Sequence, residues 1–99
     1  MKLQISRRAL RQIDRIHAWW TDNRPEARSL FLDELDDAVR LLREHPEAGL
    51  VYAAHRSGFI RRVLLSRVDY HLYYRSRADR DELVVLSVWG AQRGRGPKL

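Results

Sequence analysis

Apolar residues recur every three or four positions through the first half of the chain and in short, dense runs through the second half. That change of period is the main structural signal. Leu3 and Ile5 alternate with polar neighbours across Lys2 to Ile5, which predicts a short strand, and Ser6 suits the N-cap of a helix. Leu10, Ile13, Ile16, His17 and Trp20 then fall on one helical face, with Arg7, Arg8, Arg11, Asp14 and Arg15 mostly on the other. Asp22-Asn23-Arg24-Pro25 interrupts the pattern, and Pro25 fits the first turn of a second helix. Ala27, Leu30, Phe31, Leu35, Ala38, Val39 and Leu42 form the clearest apolar stripe, faced by acidic Asp33, Glu34, Asp36 and Asp37. Pro46 disfavours a helical residue before it, so this helix should stop near Glu44 or His45. The short link between the two helices predicts an antiparallel hairpin.

Beyond Pro46 the sequence reads as a loop through Arg56-Ser57-Gly58, followed by three strands at Phe59–Ser66, Tyr70–Arg75 and Leu83–Trp89. The links Val68-Asp69 and Ala78-Asp79-Arg80-Asp81 are short, so successive strands should pair antiparallel. Alternation places Tyr70, Leu72 and Tyr74 on one face and His71, Tyr73 and Arg75 on the other. In the last run it groups Val84, Leu86 and Val88 against Val85 and Trp89. For Phe59–Ser66 the pattern is undecided, because each face carries one arginine, Arg61 or Arg62. The order is β-α-α-β-β-β, an α+β fold with a two-helix antiparallel hairpin on a mostly antiparallel sheet of about four strands. Residues 1–93 form a single domain in this reading, and 94–99 a flexible basic tail.

Charge narrows the choice of partner. Nineteen Lys+Arg against thirteen Asp+Glu give +6, with a pI near 10.5. Only Lys2 and Lys98 are lysines, so the charge is almost all arginine, whose planar fork suits phosphate and carboxylate. Acidic proteins, nucleic acids and nucleic-acid-bound machines are the partners this implies, and free protein should adhere to nucleic acid in a salt-sensitive way. There is no cysteine, hence no disulfide and no thiolate metal site. The four histidines lack metal-ligand spacing, so no metal or other cofactor is expected. No apolar run approaches the length of a membrane span, and the N-terminus has no signal-peptide core, which predicts a cytoplasmic protein.

Several segments together resemble the ParE/RelE family of toxins from type II toxin–antitoxin systems. They are RRALRQIDRI at the first helix, PEARSLFLDELDDAVRLLREHPEAG at the second, GFIRRVLL and YHLYYR on two strands, and VVLSVWGAQRG at the close. The resemblance spans nearly the whole chain and implies the RelE/ParE-like fold. It also implies a cognate antitoxin whose extended and helical segment wraps the toxin in a hetero-oligomer; the charge suggests that this segment is acidic and amphipathic. RelE-like members cleave mRNA on the ribosome, whereas ParE-like members poison DNA gyrase without being nucleases and serve in plasmid stabilization.

The residues can be tested against each chemistry. RNA cleavage without a metal needs a base, an acid and cations on the developing phosphorane. Arg61, Arg62, Arg75 and Arg93 could supply cations, but the acid–base set is thin. A His or Tyr near or just after Gly90 is missing, leaving His71 and Tyr73, with His55 in the preceding loop. The nuclease set would be Arg61, Arg62, His71, Tyr73 and Arg93. Gyrase poisoning needs only a basic, aromatic docking surface, for which Arg61, Arg62, Trp89, Arg93 and Arg95 are candidates. Trp89 could equally pack in the core, and one of the two adjacent arginines could serve only solvation. Of adjacent Trp19 and Trp20, one should join the helical core and the other mark a surface for the antitoxin, together with Arg75. The sequence therefore favours a ParE-like gyrase inhibitor that is not an enzyme. A RelE-like ribonuclease acting on ribosome-bound mRNA is the alternative, and a non-toxic antitoxin-binding relic the third possibility.

Overall fold

The computed structural model describes residues 1–56 and 58–99, so the part of the expected loop that falls on Ser57 lies outside the described residues. The chain runs β1 (Lys2–Ile5), α1 (Arg7–Asn23), α2 (Leu30–Glu44), β2 (Leu50–His55), β3 (Gly58–Leu65), β4 (Tyr70–Arg77) and β5 (Glu82–Gly90). The sheet has five strands in the order β1-β5-β4-β3-β2, antiparallel except for the parallel β1–β5 pair. An α+β fold with two helices against a mostly antiparallel sheet is therefore confirmed, with one strand more than expected.

The extra strand corrects the reading of residues after Pro46 as loop. Leu50–His55 pairs with β3 from Leu50↔Arg62 to His55↔Gly58, with a bulge at Tyr52 between Val51 and Ala53. Leu50, Val51 and Tyr52 are all exposed, and an edge strand without a buried face leaves no alternation to read. The helices also differ in detail. Ser6 caps α1 as expected, its Oγ accepting the Ala9 N–H at 3.0 Å. Pro25 opens a separate 3₁₀ turn, Pro25–Ala27, and α2 begins only at Leu30. Leu10, placed on the apolar stripe by its spacing, is 47% exposed, while Ala9 and Gln12 are the buried positions of α1.

Gln12 is buried because β5 outruns β1. β1 ends at Ile5 opposite Val85, leaving the rest of that β5 edge without a strand partner. Buried backbone groups need substitutes, and the start of α1 supplies them. Ser6 Oγ donates to the Leu86 carbonyl at 3.1 Å. Gln12 Oε1 accepts the Val88 N–H at 2.8 Å and the Ser87 hydroxyl at 3.1 Å. In the same stretch β5 bulges: Tyr73 pairs with Ser87 and Tyr74 with Val85, so Leu86 has no partner on β4. A bulge reverses face parity. The grouping of Val84, Leu86 and Val88 is thereby overturned, and Leu83, Val85 and Val88 enter the core instead.

That core lies between the helices and one sheet face, built from Ala9, Phe31, Leu35, Val39 and Leu42 against Leu65, Leu72, Tyr74 and the three β5 residues. Phe31 of α2 meets Tyr70 edge-to-face at 5.6 Å, fixing Tyr70, Leu72 and Tyr74 as the helix-facing side of β4. Glu34 of α2 accepts the backbone N–H groups of Arg67 and Val68 at 3.0 and 3.2 Å, tying the β3–β4 turn to the helix.

Candidate functional site

The open sheet face carries the chemistry. Arg62↔Tyr73 on β3–β4 and His71↔Trp89 on β4–β5 are cross-strand pairs and bring their side chains to this side. Tyr52 projects from the bulge of β2 and packs edge-to-face on Tyr73 at 4.8 Å. Arg62 lies over the Tyr52 ring at 5.2 Å and donates from Nη1 to the Tyr73 hydroxyl at 3.2 Å. Under these neighbours Tyr73 is buried although it belongs to the open face. His71 completes the row, its ring 6.0 Å from Tyr73.

The chain after β5 folds over the end of this row. Trp89 Nε1–H donates to the Arg95 carbonyl at 2.8 Å, and the Arg93 guanidinium stacks on the Trp89 ring at 4.2 Å. Gly96 sits directly against the Tyr52 hydroxyl, leaving no room for a Cβ. Between these parts lies a cleft of about 300 Å³ whose lining includes Tyr52, Arg62, His71, Tyr73, Arg93 and Arg95.

Burial and the neighbouring charges shift the titration of His71. His71 is held below its ordinary pKa, first by burial and then by Arg62, with Asp69 opposing, a direction that favours the neutral imidazole. On the helix side Tyr70 is pushed up by burial, with Arg93 opposing. Among the described residues no three His, Asp or Glu side chains assemble as a metal site.

Arg62, His71, Tyr73, Trp89, Arg93 and Arg95 thus share one cleft, as candidates from either chemistry. Arg61 does not. It faces the helix side, where its Nη1 donates to the carbonyls of Gly49 at 3.0 Å and Glu47 at 3.4 Å. Its cross-strand neighbour Tyr74 holds the same loop, accepting the Gly49 N–H at 2.9 Å and donating to the Pro46 carbonyl at 2.7 Å. Burial raises the Tyr74 pKa, with the Gly49 N–H and Arg61 opposing and Glu47 adding to the rise. A Cβ on Gly49 would come within 2.6 Å of the Tyr74 hydroxyl, so the loop passes at a distance only glycine allows.

Trp20 packs against the core and Trp19 stays 48% exposed, with their rings edge-to-face at 5.6 Å. Arg75 lies on the open-face side of β4, paired with Val84. Tyr52 is the cleft residue that sequence reasoning missed, since its segment was read as loop. Its signal was the pair Val51-Tyr52, β-branched and aromatic residues of the kind strands favour.

The comparisons with known proteins agree with this architecture. A toxin of a chromosomal ParDE toxin–antitoxin system from P. aeruginosa superposes with a TM-score of 0.73 at 17% identity, over 93% of this chain and 97% of that one. The isolated E. coli RelE toxin superposes with a TM-score of 0.62 at 21% identity, over 95% of this chain and 87% of that one. No curated protein matches the chain. Residues 3–94 match the family model described as the ParE toxin of the type II toxin–antitoxin system parDE. Fold and family match agree, and the chain belongs to the ParE toxin family of type II toxin–antitoxin systems.

Proposed function

We propose that this ParE-family toxin inhibits DNA gyrase by docking rather than by bond cleavage, in the cytoplasm, and that a cognate antitoxin neutralises it. The observation that carries this reading is the Trp89–Arg93 stack with Arg95 beside it: an arginine and an indole held together at the end of the sheet. These residue types dominate binding hot spots, and a stacked guanidinium meets a partner already ordered. For the antitoxin, an apolar groove of about 220 Å³ runs between the two helices and the sheet, lined by Leu3, Ile5, Ile13, Leu32, Leu35 and Val39. It suits the apolar face of an amphipathic segment, with Asp36 as the one charged residue of its lining. Trp19, exposed on α1, and Arg75, half-buried on the opposite face of the sheet, are the other proposed antitoxin contacts.

A second reading, ribosome-dependent mRNA cleavage, is favoured by one specific cluster. His71 as a neutral base, with Arg62 and Arg93 as cations, lies in the same cleft. The acid is its weak point, because the Tyr73 hydroxyl is buried and already receives a hydrogen bond from Arg62. Controlled expression with and without the antitoxin separates the readings. Gyrase inhibition predicts filamentation, DNA-damage induction and trapped gyrase–DNA cleavage complexes while translation continues. Immediate translation arrest with mRNA cut on ribosomes would replace it with the nuclease, and no growth effect would indicate an antitoxin-binding relic.

A further inference from the structure

The arginines of α1 form a separate feature that the cleft does not use. Arg8, Arg11 and Arg15 are spaced three and four residues apart, so they share one helix face. That face looks across a groove of about 360 Å³ at Trp89 of β5 and at Arg95 and Lys98 of the C-terminal segment, which close the other wall. The Arg8 guanidinium donates to the Lys98 carbonyl and holds the segment in place. The groove therefore brings together five cationic side chains and an indole. Among the described residues the ion pairs are Met1–Asp81, Arg40–Asp36 and Arg77–Asp79, all elsewhere. The acids of α1, Asp14 and Asp22, do not line the groove. Five like charges gathered with no acidic side chain among the described residues of the groove's lining repel one another, and an anionic occupant relieves that repulsion.

We propose that this groove binds the sugar–phosphate backbone of a single-stranded nucleic acid, with its bases against the indoles. The cations are mainly guanidiniums, whose fork matches phosphate and carboxylate oxygens alike, and two features favour a nucleic acid over an acidic peptide. From Arg8 to Arg15 the helix rises roughly 10 Å, room for about three nucleotides at stacked spacing. The groove is also continuous at Arg15 and Trp89 with a second hollow that contains Trp19 and Arg93, so two indoles flank its far end. Aromatic platforms beside a cationic track are the recurring design of sequence-tolerant single-strand binders. The proposal adds Arg8, Arg11, Arg15 and Lys98 to the surface. It does not depend on the gyrase reading, since gyrase and ribosome complexes both present nucleic acid.

The test is fluorescence anisotropy of a labelled oligothymidylate of about 12 nucleotides, within the usual site sizes, against the purified full chain over a salt series. The double variant Arg11→Gln/Arg15→Gln is compared with Arg40→Gln/Arg80→Gln, which removes the same charge outside the groove. All four positions are exposed, and circular dichroism with thermal melting checks that each variant folds. The groove variant should bind at least about tenfold more weakly at low salt. Its slope of log affinity on log salt should flatten by about 0.7 for each phosphate no longer neutralised. The control should change less than about threefold. Equal losses in both variants would reduce the effect to net charge and overturn the site. A polyglutamate of matched charge that binds the parent as tightly as the oligonucleotide, with the same loss in the groove variant, would overturn the nucleic-acid assignment in favour of an acidic protein partner.

Discussion

Arg61 and Arg62 are adjacent, identical in chemistry and opposite in use. Arg61 points to the helix side and holds the carbonyls of Gly49 and Glu47, where Tyr74 grips the same loop. Arg62 points to the open side and joins Tyr52 and Tyr73 at the edge of the cleft. The strand period alone separates them. One face of the sheet uses its polar residues to fix the chain, and the other arranges the same residue types for an outside partner. Stability and toxicity should accordingly divide between the two faces.

The largest effect should come from the closed face. Phe31 of α2 is fully buried against Tyr70. Phe31→Ala should cost about 3–5 kcal/mol, much of the stability of a domain this size, and abolish both soluble expression and antitoxin binding. Near-parental chemical denaturation would show that the core is not where it has been placed. Tyr74→Phe keeps the ring but removes both loop hydrogen bonds and should cost about 1–3 kcal/mol. The melting temperature should then fall by roughly 4–8 °C per kcal/mol, with toxicity unchanged once protein levels are matched. Loss of toxicity at a parental melting temperature would break the division between the faces.

How far this division could be read from the chain depended on local pattern. α2 was legible because its stripe is long and its end is marked by Pro46. The faces of β4 were legible because its alternation runs unbroken. β5 misled because the bulge at Leu86 reverses parity, and the bulge leaves no local mark in the sequence. Gln12 gave no signal either, since a glutamine on a helix reads as surface until the edge it caps is known. Without β2 there was no Tyr52, and without Tyr52 no reason to see that Tyr73 is covered. The cleft's other members were legible as residue types, whereas their assembly depended on register and on the path after β5.

The smallest effect concerns His71. Its folded pKa lies below the ordinary 6.5 because of burial and Arg62. The unfolded chain therefore binds the proton more readily, and stability falls as pH drops from about 6.5 toward the lower folded value. His71→Gln should flatten the pH dependence of the denaturation midpoint in that window and leave the rest of the curve unchanged. An unaltered slope would remove His71 as its source.

The most direct test of the central claim uses purified components. Gyrase, ATP and relaxed plasmid are incubated with the parent toxin, with Arg93→Ala and with His71→Gln, and supercoiling and cleaved DNA are followed on gels. The account predicts that the parent and His71→Gln both block supercoiling and trap cleaved plasmid, while Arg93→Ala does neither at a parental melting temperature. Gyrase indifferent to the parent toxin, with ribosome-bound mRNA cut in a His71-dependent manner, would contradict it.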